Sequence, residues 1–169
     1  MIDRRRAICL SLLAIPAASL LSPVGAHAEQ AFQRFIPFLV DLDGWQGKKP
    51  EGMAMEMPGT SMIIAGREYQ RGPARVHVQI LIGSAAQGAL AATQTGINVE
   101  TTDGRMSTTT IDGLPVTKSI NYKQKAGAIL VALRANSVFS VSFNDISDDE
   151  ALALARKFDW KAIQAALPK

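Results

Sequence analysis

Between Thr60 and Asn144 the chain repeats one pattern: short runs rich in Val, Ile, Thr and Phe, separated by turn residues. In PARVHVQILIG, Val76, Val78, Ile80 and Ile82 alternate with Arg75, His77, Gln79 and Leu81, the period of a strand with one buried face. TSMIIAGREYQ precedes it across Arg71-Gly72, which predicts a hairpin. INVETTD, RMSTTTI, LPVTKSINYK, GAILVALR and SVFSVSFN follow, divided by Asp103-Gly104, Asp112-Gly113, Lys125 to Gly127 and Ala135-Asn136. Tight connections in succession allow only neighbouring strands to pair, so the expectation is an antiparallel meander of about six to seven strands. The nearly continuous apolar run AILVALR predicts a central strand covered on both faces.

Helical patterns frame and interrupt this sheet. AFQRFIPFLVDL places Phe32, Phe35, Ile36 and Leu39 at helical spacing, with Pro37 marking a start or kink. SAAQGALAATQTG reads as a small-residue helix from Ser84 to a stop at Gly96. Ser147 before Asp148, Asp149 and Glu150 forms a capping box for a helix with Ala151, Leu154, Ala155 and Phe158 as its stripe; Asp159 restarts a shorter helix, WKAIQAAL, before Pro168. The fold class expected is therefore α+β, with an N-terminal, a short middle and a C-terminal helix packed on an antiparallel sheet. Trp45, in the loop-like stretch DGWQGKKPEG, is expected to lie over the core as a lid.

The first segment carries a different message. Arg4, Arg5 and Arg6 precede an apolar run from Ala7 to Leu21, and Ala26-His27-Ala28 supplies a small-residue cleavage pattern. That is the layout of a secretory signal peptide over residues 1–28, with residues 29–169 as a single mature domain in the periplasm or outside the cell. Pro16, Ser11 and Ser19 interrupt the run, which argues against a stable membrane span after cleavage. The arginines leave both the general secretory and the twin-arginine routes open.

Loss of residues 1–28 removes three arginines, Asp3, Cys9 and His27, so the net charge drops from +3 to +1. Without a dense basic face, nucleic acid is not an expected partner. Without cysteine, and with His77 as the sole imidazole, the mature domain has no disulfide, no thiolate nucleophile and too few ligands for a structural zinc.

Several stretches taken together, LVDLDGW, GREYQRGPARVHVQI, TIDGLPVTKS, GAILVAL and SDDEALALARKFDW, resemble a loose group of uncharacterised bacterial exported proteins. The layout of that group is similar to the antiparallel α/β/α sandwich of the PsbP type, the extrinsic proteins of photosystem II. The shared features are structural: a turn glycine, a strand tyrosine, a capping box. The resemblance implies an accessory or binding module and carries over no active-site residue.

Candidate sites are few. Met53, Met55, Met57 and Met62 lie within ten positions, and thioether sulfur is a soft donor suited to Cu(I). On one straight strand the outer pair of Met53, Met55 and Met57 is about 13 Å apart, so a site needs a curl or a further ligand, Met62 or His77, from the next hairpin. The leading reading is apolar cover for one face of an edge strand or loop, with no cofactor; the alternative is a Cu(I) site formed by Met53, Met55, Met57, Met62 and His77. Glu56 falls on the other face in either case. A small hydrolase is the remote alternative: His77 with a serine and an acid could form a triad, but no G-x-S-x-G elbow occurs. Glycosidase chemistry needs two carboxylates across a cleft, whereas Asp148, Asp149 and Glu150 read as cap residues. No phosphate loop, dinucleotide fingerprint or calcium loop is present. The function expected is that of a periplasmic, non-catalytic accessory or binding protein whose partner is a protein or small ligand of the cell envelope.

Overall fold

Alternation along Ala74–Gly83 is realised residue for residue: Ala74, Val76, Val78, Ile80 and Ile82 are buried, and the residues between them are not. The computed structural model describes residues 31–94, 96 and 98–168; the leader expected over residues 1–28 lies outside them. Nine strands form one antiparallel sheet: β1 (Gln46–Gly47), β2 (Glu51–Met57), β3 (Thr60–Arg71), β4 (Ala74–Gly83), β5 (Val99–Glu100), β6 (Gly104–Ile111), β7 (Leu114–Asn121), β8 (Ala126–Arg134) and β9 (Ser137–Asn144). Three α-helices lie wholly within the described residues: α1 (Ser84–Gln94), α2 (Asp148–Ala155) and α3 (Trp160–Ala165). The order across the sheet is β1-β3-β4-β9-β8-β7-β6-β5, with β2 also on β3. Thus α1 carries the chain from β4 to the far edge, and the meander β5 to β9 walks back until β9 closes on β4.

The expected count of six to seven strands is corrected to nine. Of the two additions, β1 lies in the stretch that composition assigns to a loop, and β2 begins at its end. Methionine, alanine, glycine and glutamate have little strand preference of their own; pairing with the long β3 supplies what the local sequence lacks. β1 and β2 occupy the same edge of β3 in registers one residue apart, Gly47 facing Tyr69 and Glu51 facing Gly66, with the break at Lys48, Lys49 and Pro50. On the opposite edge β5 is two residues long, and the Asn98 side chain accepts the Thr108 N–H at 3.1 Å beyond it.

The N-terminal helix also ends earlier than its stripe suggests. Residues 31–33 are helical, Ile36–Phe38 form a single 3-10 turn with Pro37 inside it, and the chain then runs irregularly to β1. Proline cannot donate to the previous turn, so helix does not propagate to Leu42. Phe35, Leu39 and Leu42 are nevertheless buried, with Trp45 closing over the same core as expected.

One sheet face carries the main core. Ala65, Tyr69, Val78, Val116, Ile129, Val131, Phe139, Val141 and Phe143 meet Ala151, Ala155, Phe158, Trp160 and Ile163 of the C-terminal helices. The rings of Phe139 and Phe158 are 5.3 Å apart between centroids. Ser147 accepts the Glu150 N–H and Asp159 accepts the Ala162 N–H, so both helix starts are capped as their sequences predict. On the other face α1 sets Ala86 and Leu90 against Val138, with Leu81, Ala89, Leu130 and Ala132 around them. β8 is accordingly covered on both sides over that length. The result is helix on sheet on helix, but α1 spans only one end of its face.

Candidate functional site

Where α1 stops, no element of the described residues lies over the continuing sheet face. Cross-strand pairing lines up one row perpendicular to the strands: Glu68 faces His77, His77 faces Ser142, Ser142 faces Ala128, Ala128 faces Ser119 and Ser119 faces Met106. The next row runs Gln70, Arg75, Asn144, Ala126 and Asn121. Side chains directly opposite stand about 5 Å apart at Cβ, so each row is a continuous surface. Small residues occupy its middle and long polar ones its β3–β4 end. A cleft of about 660 Å³ opens there, lined by Gln46, Lys48, Glu68, Arg75, His77 and Ser142 among others. A shallower depression of about 450 Å³ continues the surface over Ser119, Asn121, Ala126 and Ala128.

Two features organise the cleft. Lys48 reaches from the break between β1 and β2 to pair with Glu68, and that hydrogen bond with its charge holds the Glu68 carboxyl below the ordinary carboxylate range. His77, half-buried, lies over Gly66, whose missing side chain leaves the space its ring occupies: a Cβ on Gly66 would sit 3.2 Å from His77 Nε2. Among the described residues Arg75 has no ion-pair partner.

The order Glu68, His77, Ser142 has the residue types of a hydrolytic triad, and its chemistry is nonetheless poor. No hydrogen bond links Glu68 to His77 or His77 to Ser142 among the described residues, and Glu68 is turned to Lys48. Ser142 lies within the paired stretch of β9, flanked by β4 and β8, so the ladder takes up its local backbone donors and leaves no pair aimed at a developing oxyanion. Ser142 is also exposed on an open surface, where water is not excluded. The arrangement can bind through hydrogen bonds and charge.

The methionines form a separate group. Met53, Met55 and Met57 share the face that carries His77, and Glu56 takes the opposite one, as strand alternation requires. Met62 stands directly across from Met55. His77 does not join them: Met62 pairs with Gly83, six residues from His77 along β4, a separation of roughly 20 Å. The three β2 methionines do line an edge strand, yet they are 41–52% exposed, and none of the four belongs to either core cluster of the described residues.

Two other groupings are structural. Asp148 at the head of α2 pairs with Arg105 at 2.9 Å and Lys118 at 3.3 Å. Burial raises its pKa, but the Lys118 hydrogen bond and the Lys118 and Arg105 charges outweigh that and leave it lowered. Arg67 donates to the Leu39 carbonyl at 2.8 Å and the Lys48 carbonyl at 2.7 Å, and Tyr69 donates to the Val40 carbonyl at 2.6 Å. GREY and LVDLDGW, read as separate stretches, are therefore one clamp.

Among the described residues no group of three or more His, Cys, Asp or Glu side chains gathers as a metal site, and no helix is long and apolar enough to cross a membrane. Sequence reasoning missed Glu68 and Ser142. Glu68 opposite His77 follows from counting back through the Gly72-Pro73 turn, but Ser142 depends on the long-range pairing of β4 with β9, for which no local pattern exists. Comparisons with known protein families, with curated proteins and with solved structures find no match.

Proposed function

We propose that this is an exported, non-catalytic binding protein of the cell envelope, whose ligand rests on the uncovered sheet face over His77 and Ser142. The observation that supports this reading is the row itself: polar donors at one end, small side chains in the middle, and one end of the same face already taken by α1. Arg75, His77, Ser142 and Asn144 suit a ligand rich in hydrogen-bond acceptors. Export rests on the leader-like residues 1–28.

The test is recovery of the tagged protein from the periplasm, followed by native mass spectrometry of what it carries. Ser142→Trp fills the exposed middle of the face without entering the core, and the bound species is expected to disappear in that variant. Retention of the species in Ser142→Trp, or a turnover activity abolished by His77→Ala, would refute the reading.

A further inference from the structure

The four methionines of the β2–β3 hairpin line neither the polar cleft nor a core cluster of the described residues, and their geometry carries a separate reading. We propose that the β2–β3 hairpin is a binding site for a soft monovalent cation, Cu(I), held by the thioethers of Met55 and Met62 with Met53 or Met57 as the third donor.

The strand register decides which sulfurs can meet. Along β2 alone, neighbouring methionines on the face are about 6.7 Å apart and the outer two about 13 Å, too far for one ion. Met62 changes this, because it stands across from the middle residue of the three. Its Cβ is about 5 Å from that of Met55 and roughly 7–8 Å from those of Met53 and Met57 on the diagonals. Two triangles result, Met55-Met62-Met53 and Met55-Met62-Met57, each with one short and two longer sides. A methionine side chain is unbranched, with three rotatable bonds, and carries its sulfur past Cγ, so three of them from such corners converge on a shared point above the sheet. Convergence costs little repacking, since the β2 methionines are half-exposed and bound into neither core.

The donor chemistry selects the ion. Thioethers are neutral and soft, do not titrate, and bind Cu(I) in preference to Zn(II), Mg(II) or Ca(II), which need imidazole, thiolate or carboxylate donors. Glu51 follows on the same face beyond Met53, a negative charge near a monovalent cation with no anionic ligand of its own. Pro58 and Gly59, the latter at φ +79°, make the tight turn that fixes the register and so the facing of Met55 and Met62. The site is independent of the polar cleft: His77 lies roughly 20 Å away along β4.

The experiment is a competition titration of the purified protein, without residues 1–28 if they are removed in the cell, with Cu(I) against a chromogenic Cu(I) chelator. One ion per chain is expected. Replacing Met55 and Met62 together by leucine is expected to weaken binding by more than roughly 100-fold, the upper end of what losing a supporting outer group costs a metal site. Met106→Leu, on the distant strand β6, and His77→Ala are expected to leave the affinity unchanged. Leucine conserves volume, and the exposed positions tolerate it. As a readout that needs no variant, Ag(I) added to the protein with 13C-methyl methionine should shift the Met55 and Met62 methyl signals and leave Met106 in place. Binding that survives replacement of all four methionines by leucine, binding lost in His77→Ala, or a silver titration that moves Met106 alone would each overturn the proposal.

Discussion

Arg67→Met isolates what anchors the irregular segment ahead of β1. The arginine side chain is 12% exposed and spends two donors on main-chain carbonyls, Nη1 on Leu39 and Nε on Lys48, while Nη2 meets the Asp41 carboxylate. Methionine keeps the aliphatic stem and removes all three interactions. A hydrogen bond from a charged donor is worth about 1.5–3 kcal/mol, and water re-solvating the exposed Lys48 carbonyl returns part of one. The Asp41 pair adds little, because that carboxylate is 90% exposed. The net loss expected is about 3 kcal/mol, or roughly 12 °C in Tm at about 4 °C per kcal/mol for a domain of this size. Urea unfolding measures it, and amide hydrogen exchange should place the loosening in residues 39–48 first. Asp41→Asn is the control, with an expected loss under about 0.5 kcal/mol. A loss in Arg67→Met below about 1 kcal/mol, or an equal loss in Asp41→Asn, would show that the carbonyl bonds are not what holds the segment.

Two further outcomes follow from the backbone and from Tyr69. Gly83 has φ +73° and its missing Cβ would overlap the Ser61 carbonyl, whereas Gly72, at φ +59°, faces open space. Gly72→Ala should cost only the left-handed strain, about 1–2 kcal/mol, and Gly83→Ala should cost at least about 1 kcal/mol more from the clash; equal costs in urea melts would count against the clash. Burial pushes the Tyr69 pKa up to about 12, against about 10 in the unfolded chain. The unfolded state therefore loses its proton first, and stability should fall between pH 10 and 12 by up to about 2.7 kcal/mol. That decline should be absent in Tyr69→Phe, and an identical alkaline limb in the two proteins would contradict it.

What the sequence disclosed depended on range. The C-terminal helix starts were readable at Ser147 and Asp159 because capping is a contact three residues long. The meander was readable because each two-residue turn, such as Asp112-Gly113 with both residues at positive φ, dictates the pairing of its own flanks. β2 was not, because its strand character comes from β3 and not from Met, Ala and Gly. For the same reason the sharing of a face by Met53, Met55 and Met57 could be anticipated from alternation, while the separation of His77 from Met62 needed the β3–β4 register. The Glu68–His77–Ser142 row joins residues from three strands, two of them 65 positions apart in sequence; no local rule brings these together.

The interruption at Lys48, Lys49 and Pro50 also divides the outer edge of the sheet into short pieces. An unbroken neighbour along the whole of β3 would offer a foreign strand a long ribbon of unsatisfied amides. Instead β2 is bracketed by Pro50 and Pro58 and carries Glu51 and Glu56, and at the far side Asn98 plugs the Thr108 amide next to a two-residue β5. Both flanks thus carry features that disfavour pairing with a foreign strand: brevity at β5, and bracketing prolines with carboxylates at β2.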